Sequence, residues 1–274
     1  MRVKIQDFDS KKDLFKYLRD NKSELIARKK SMPIVSDVCG AGIMHLNNKE
    51  GGAIKANAPV EENVDKLRVK VVANTANWID SHMDMLLPDA AAKSINERKG
   101  IIPHLHDHIH QVGAKVGEVV DIQLQNLSLT ELGVNKMGMT QAIVFITDII
   151  KEYNPQVFNQ YKEGRINQHS IGMQYVKLDL AINDDSSTKE FEYWEKNIDL
   201  AINPEAADER GFFWVVSEIK LIENSAVLFG SNEITPTLDN NLKNITAVES
   251  DTVKTEPSDD TQSNNSMFNF KNLI

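Results

Sequence analysis

Phe212-Phe-Trp-Val-Val216 is a continuous apolar run, and the residues after it alternate between polar and apolar as far as Glu223. Such a pattern predicts a β-strand. Three other segments alternate in the same way and also predict strands, namely 67–72, 115–124 and 173–182. From residue 67 onward the chain is therefore rich in β-structure.

Helical patterns precede and interrupt these strands. An amphipathic stripe predicts a helix over residues 9–30, capped by Asp9 or Ser10. Pro88 is suited to the first turn of a second helix, which ends at Gly100. Further helices are predicted over 139–152, 155–163 and 187–197, the last inside a polar, acidic insertion at 183–210. The fold class is therefore mixed α and β.

Composition divides the chain into three parts. Residues 1–66 hold the N-terminal helix and an extension with a loop at 47–63, and residues 67–234 form the main domain. From Thr235 the chain is dominated by Asn, Asp, Ser, Thr and Glu, which cannot bury enough apolar area to offset ordering. We expect 235–274 to be a disordered acidic tail. Its apolar end at 267–274 is either a frayed terminus or a short docking peptide.

Charge and composition exclude several classes of protein. The formal net charge of the 274 residues is −9, which argues against sequence-independent binding of nucleic acid. A single cysteine, Cys39, excludes an internal disulfide and a cysteine-rich zinc site. The apolar runs, such as Ala142–Ile146, are too short to span a bilayer, and the first ten residues lack a signal-peptide pattern. We expect a cytoplasmic protein without a membrane partner.

Pro103-His-Leu-His-Asp-His-Ile-His110 holds four of the seven histidines. In an extended strand these four would share one face, with Asp107 on the other. Histidine carries protons near neutral pH and also binds metals. One interpretation is therefore a zinc-dependent hydrolase built on the strand from His104 to His110, which would need a third ligand. Others are a general base, or simply a polar strand face.

Two further segments carry candidate catalytic residues. Ser170 begins a predicted strand and is followed by Gly172, whose lack of a side chain permits close backbone approach. Glu223 shares a strand face with Ile219 and Leu221, so a regular strand would bury its carboxylate. A buried carboxylate needs a partner such as an imidazole. A bulge that turns Glu223 outward fits the pattern as well.

Taken together, these segments resemble the prohead proteases of tailed phages, which are serine peptidases distantly related to herpesvirus assemblins. The family pattern combines a proline-led histidine strand with an Ile/Val-Gly turn, a Ser-Ile-Gly element, a Glu-x-Ser-x-Val element and an Asp-rich loop. The corresponding stretches here are Pro103–His108 with Lys115–Gly117, His169–Gly172, Glu223–Val227 with Asn232, and Trp78–Asp84. The resemblance covers roughly residues 67–234.

The resemblance implies that Ser170 is the nucleophile, His108 the general base and Glu223 the acidic residue that orients the imidazole. His106 is the alternative base, because it precedes Asp107. If Glu223 is not the third member, Glu118 or Asp179 is the next choice. The sequence departs from the family at His169, where a small or apolar residue is more common, and at Asn224, which replaces an aliphatic residue.

The implied fold is a mostly antiparallel, closed or nearly closed β-barrel surrounded by helices, as in herpesvirus proteases. The implied function is cleavage of scaffold, portal and major capsid proteins, and of the enzyme itself, inside an immature phage prohead in the host cytoplasm. No cofactor or metal is implied, and a homodimer is compatible with the resemblance. Besides the zinc hydrolase, a non-catalytic scaffold or capsid-assembly protein stays open as an alternative.

Overall fold

A computed structural model of the chain describes residues 8–31, 64–186 and 188–239. Cys39, the loop at 47–63 and the tail from residue 240 lie outside the described residues. The described strands are β1 (Lys66–Thr75), β2 (Asp84–Leu86), β3 (His104–His106), β4 (Lys115–Ser128), β5 (Met139–Ile150), β6 (His169–Ile182), β7 (Phe212–Ala226) and β8 (Thr237–Asp239). The described helices are α1 (Lys11–Asp20), α2 (Lys22–Ser31), α3 (Ala92–Arg98), α4 (Pro155–Lys162), α5 (Thr188–Ile198) and α6 (Glu205–Arg210).

All eight strands join one sheet, in which β7 is central to the candidate site. One side of β7 pairs in parallel with β2 near its start and with β3 near its end, and the other side pairs antiparallel with β6. From β3 the sheet continues through β4, β5 and β1 to β8 with antiparallel pairings throughout. The prediction of a mixed, mostly antiparallel fold is confirmed.

The ladder of backbone hydrogen bonds does not close into a barrel, so a closed barrel is not confirmed. The two ends of the sheet, β6 and β8, are linked instead by bonds that involve side chains. Thr237 Oγ donates to the carbonyl of Ile166 at 2.8 Å, and Thr235 Oγ donates to the carbonyl of His169 at 2.7 Å. The described fold therefore runs to Asp239, five residues beyond the predicted boundary of the domain.

Local sequence signals explain most of the helices. Ser10 caps α1 by accepting a bond from the amide of Asp13, and Leu14 and Leu18 on its apolar stripe are buried. The predicted helix over 9–30 is interrupted at Asn21, which separates α1 from α2. Asn154 caps α4 directly before Pro155. Of the helix predicted over 88–100, α3 and a short 3₁₀ helix at Lys99–Ile101 are observed.

The predicted helix at 139–152 is wrong, because this segment is strand β5. It lies between β1 and β4 and is hydrogen-bonded to both. Most of its side chains are buried, so its apolar residues do not alternate with polar ones. Its β-branched residues, including Ile143, Val144 and Ile146, favour a pleated strand. A strand buried on both faces cannot be distinguished from a buried helix by periodicity alone.

None of the described helices is both long enough and apolar enough to cross a membrane. The helices cover parts of the sheet, and most of the buried apolar side chains of strands and helices form one large core, with a second, smaller cluster around Trp78 and Val144. Leu14, Phe158 and Trp194 contribute to this core from α1, α4 and α5. The sheet is therefore held on a packed apolar layer, and the polar residues buried within it are exceptions that require partners.

Candidate active site

Strands β6 and β7 place the serine and glutamate elements side by side. Ser170 lies opposite Ser225, and Gly172 lies opposite Glu223. Residues two positions apart on a strand point to the same face, and opposite residues of antiparallel strands have Cα atoms about 4.5–5.5 Å apart. The four residues therefore form a compact group on one face of the β6–β7 pair.

Gly172 provides the space that the Glu223 side chain occupies. A Cβ atom at position 172 would lie 2.9 Å from Cγ and 3.0 Å from Cδ of Glu223, and closer still to Oε1. These separations are shorter than ordinary contact between carbon atoms. The carboxylate of Glu223 therefore lies across Gly172, toward the strand that carries Ser170. The register shifts by one residue beside this pair, which is the bulge that the sequence left open, but Glu223 is only 1% exposed.

The carboxylate of Glu223 binds the imidazole of His108. Nδ1 of His108 lies 2.5 Å from Oε1 of Glu223, and both side chains are almost completely buried. A carboxylate only accepts hydrogen bonds, so Nδ1 carries a proton, and in the neutral imidazole Nε2 keeps its lone pair. Nε2 is buried and has no hydrogen-bond partner in the described part of the chain. The expected imidazole partner for a buried Glu223 is confirmed.

The loop that carries His108 is a tight turn directly after β3. Asp107 and His108 both have positive φ angles, 50° and 54°, which are unusual for residues other than glycine. The amide of Asp107 donates to the carbonyl of Ala226 at 2.9 Å, and the amide of His108 donates to Oγ of Ser225 at 3.1 Å. Bonds to β7 therefore hold the turn in a conformation that costs roughly 1–3 kcal/mol per residue.

Two serines lie at the site, and their surroundings differ. Oγ of Ser225 accepts from the His108 amide and donates to Oε2 of Glu223 at 2.7 Å, so its hydrogen-bonding capacity is largely used. Ser170 is 4% exposed, and its hydroxyl has no hydrogen bond to any described residue. The Ser170 hydroxyl and His108 Nε2 are therefore not hydrogen-bonded to each other in this structure. Apo geometry of this kind is common among catalytic pairs.

The alternative residues lie elsewhere. Nδ1 of His106 faces the exposed Asp107 at 3.2 Å, so His106 does not contact Glu223 through this atom. Glu118 is exposed and bonded to Lys115 and Tyr153. Asp179 lies opposite Val215, well away from Glu223 on β7. None of these three residues joins the group around His108.

The prediction that four histidines share one face is wrong, because β3 ends at His106 and the following turn redirects the chain. His104 is fully buried in the core, while His106 faces Asp107 near the surface. Within residues 8–31, 64–186 and 188–239, no three His, Cys, Asp or Glu side chains are grouped so that they could hold a metal ion. The described geometry therefore offers no support for a zinc site on this strand.

Behind the site, Tyr161 joins two buried histidines. Nδ1 of His169 donates to the carbonyl of Thr235 at 3.0 Å, so its Nε2 must accept from the Tyr161 hydroxyl at 2.9 Å. The same hydroxyl accepts from Nε2 of His104 at 3.1 Å, which leaves Nδ1 of His104 to accept from Thr147. In this series of hydrogen bonds from Thr235 to Thr147, each group has a single consistent donor or acceptor role.

Burial keeps His104 and His169 neutral. It lowers the pKa of His169 to about 4 and the pKa of His104 well below its ordinary value, the latter also because His169 is near. Burial raises the pKa of the Tyr161 hydroxyl. His169, which departs from the family pattern, therefore serves to join β6 to α4 and to the segment before β8. Sequence reasoning missed Tyr161, which no pattern marks, and it named Ser225 only as part of the Glu-x-Ser-x-Val element, without a role.

The Asp-rich loop predicted at Trp78–Asp84 is remote from this group. Asp84 lies opposite Trp214, about 30 Å of strand length from Glu223 on β7. Its carboxylate binds Lys29 of α2 at 2.6 Å and the hydroxyl of Tyr175. Burial raises the pKa of Asp84. The loop attaches the N-terminal helices to the sheet and does not contribute to the His108 group.

Comparison of the chain with models of protein families, with curated proteins and with solved structures finds no match in any of the three. The chemistry of the site therefore depends on its own residues. Those residues are a serine, a buried imidazole with one unpartnered nitrogen, and a carboxylate that holds the other nitrogen.

Proposed function

We propose that the chain is a serine endopeptidase in which Ser170 is the nucleophile, His108 the general base and Glu223 the residue that orients the imidazole. The observation that carries the proposal is the buried bond between His108 Nδ1 and Glu223 Oε1. Nε2 of His108 is unpartnered, and the Glu223 side chain lies against Gly172, two residues from Ser170 on β6. A nucleophile, a base and a group that orients the base are the parts that acyl transfer to serine requires.

In the proposed reaction Nε2 of His108 takes the proton of the Ser170 hydroxyl as Oγ attacks the peptide carbonyl. The imidazolium then gives this proton to the leaving amine, which leaves an acyl group on Ser170. Water hydrolyses the ester by the same route, with His108 again acting first as base. Throughout, Glu223 accepts from Nδ1 and stabilises the positive charge that forms on the ring.

The biological setting proposed for this activity is maturation of a phage prohead in the host cytoplasm. Its substrates would be the scaffold, portal and major capsid proteins and the enzyme itself. This setting depends on the motif resemblance, which the order of the three elements around the site supports. The herpesvirus-protease-like barrel belongs to the same proposal, and the bonds of Thr235 and Thr237 that link the two ends of the sheet support it.

The proposal is tested by labelling the purified full chain with an alkyl fluorophosphonate and locating the adduct by peptide mass spectrometry. We expect the adduct on Ser170, none in Ser170→Ala, and at least a thousandfold slower labelling in His108→Ala, since triad residues act as a unit. His106→Ala is the matched control and should label at the rate of the unmodified chain. An adduct confined to other serines would reject the assignment.

Two further measurements separate the alternatives. Self-trimming, followed by mass spectrometry, should persist in excess chelator and disappear in Ser170→Ala. Loss of cleavage in chelator would favour the zinc hydrolase. Shells that assemble with a co-expressed capsid protein, and that remain uncleaved, would favour the scaffold interpretation.

A further inference from the structure

Ser225 occupies a position that the triad by itself does not explain. It is fully buried and lies between the two other strands of the site, opposite Ser170 on β6 and opposite Leu105 on β3. Its hydroxyl contacts both members of the His108–Glu223 pair. It accepts from the backbone amide of His108 at 3.1 Å and donates to Oε2 of Glu223 at 2.7 Å.

These two bonds act on different degrees of freedom. The bond to the His108 amide fixes the backbone at a φ of 54°, which sets the direction from which the imidazole approaches. The bond to Oε2 fixes the rotation of the Glu223 carboxylate and so aims Oε1 at Nδ1. One hydroxyl therefore determines the relative orientation of the base and its partner.

We propose that Ser225 is a positioning residue that fixes the relative orientation of the His108 and Glu223 side chains, so that Nε2 of His108 is directed to the Ser170 hydroxyl. The inference rests on the proposed function. It assigns Ser225 no contact with substrate and no proton transfer. Its removal would leave all three triad residues present but the ring of His108 poorly aligned, and displacements of about 1 Å at such sites cost on the order of 100-fold in rate.

The chain offers a matched control on the same strand. Oγ of Ser94 accepts from the amide of Leu221 at 2.8 Å and is buried, as Ser225 is. Ser94→Ala therefore removes a buried side-chain bond to β7 without touching His108 or Glu223. A general structural effect on β7 would appear in both variants, whereas a positioning effect would appear in Ser225→Ala alone.

The experiment combines two readouts on the full chain. The first is the proton resonance of Nδ1–H of His108, which a short bond to a carboxylate moves far downfield. We expect Ser225→Ala to lose or shift this resonance and Ser94→Ala to keep it. The second is fluorophosphonate labelling of Ser170, which should be about 10- to 100-fold slower in Ser225→Ala and unchanged in Ser94→Ala.

An unchanged resonance together with unchanged labelling in Ser225→Ala would overturn the inference, as would equal losses in both alanine variants. If the unmodified chain does not label at Ser170, the proposed function fails, but the resonance still reports whether Ser225 holds the pair. If Ser225→Ala does not fold, Ser225→Cys replaces it, because a thiol fills the same position and is a weaker donor and acceptor.

Discussion

Replacing Gly172 by alanine places a methyl group where the Glu223 side chain now lies. The new carbon would be 2.9 Å from Cγ of Glu223, and ordinary carbon contacts are about 3.5–4.0 Å. The Glu223 side chain must therefore retreat by about 0.6–1.1 Å, because Gly172 and Glu223 are opposite each other in a fixed register. If the retreat is directed away from His108, it lengthens the 2.5 Å bond from Nδ1 to Oε1 to about 3.1–3.6 Å, which weakens or breaks it.

We expect labelling of Ser170 by a fluorophosphonate to be about 100-fold slower in Gly172→Ala. The midpoint of thermal unfolding, followed by circular dichroism, checks that the variant is folded. Gly100→Ala is the control, because a Cβ there meets no atom within 4 Å, and its labelling rate should not change.

A folded Gly172→Ala protein that labels at the rate of the unmodified chain would refute the reasoning, since the carboxylate would then not be needed where it lies. If the variant does not fold, Glu223→Gln tests the same bond with little change in shape. A neutral amide cannot stabilise the imidazolium as a carboxylate does, so labelling should again be slow.

Three further predictions concern buried polar groups. His169 has a folded pKa near 4 against about 6.5 when unfolded, so unfolding takes up protons below pH 6.5 and stability should fall by about 3 kcal/mol from pH 7 to 4. The stability of His169→Gln, measured by urea unfolding, should lack this part of the decline between pH 7 and 4. If the variant and the unmodified chain lose stability identically with pH, His169 is not a buried neutral residue. Tyr161→Phe removes the partner of Nε2 from both buried histidines, His104 and His169, and should cost about 2–4 kcal/mol. If urea unfolding shows a loss of less than about 1 kcal/mol in the free energy of unfolding, Tyr161 does not form these hydrogen bonds. Lys29→Met leaves the Asp84 carboxylate buried without its cation and should cost about 3 kcal/mol, whereas Lys16→Met, at an exposed pair, should change little. If urea unfolding shows equally small losses of stability in the two methionine variants, the Lys29–Asp84 pair does not hold α2 on the sheet.

Much of the fold follows from local patterns. Alternation located β1, β4, β6 and β7, and the apolar stripe with its capping residue located α1, because these signals act within a few residues. The pattern failed at β5, where burial on both faces removes alternation. It failed again after His106, where two residues with positive φ end the strand.

The sequence by itself determined which chemical groups are available: a serine before a glycine, a glutamate on an apolar strand face and a row of histidines. Only the tertiary structure decided that His108 meets Glu223. These residues are 115 positions apart, and the turn that carries His108 is held by bonds to β7. It also decided that His104 and His169 are neutral core residues. Periodicity assigns a residue to a face of its own strand, but the partner on that face is set by strand order and register, which arise from packing of the whole sheet.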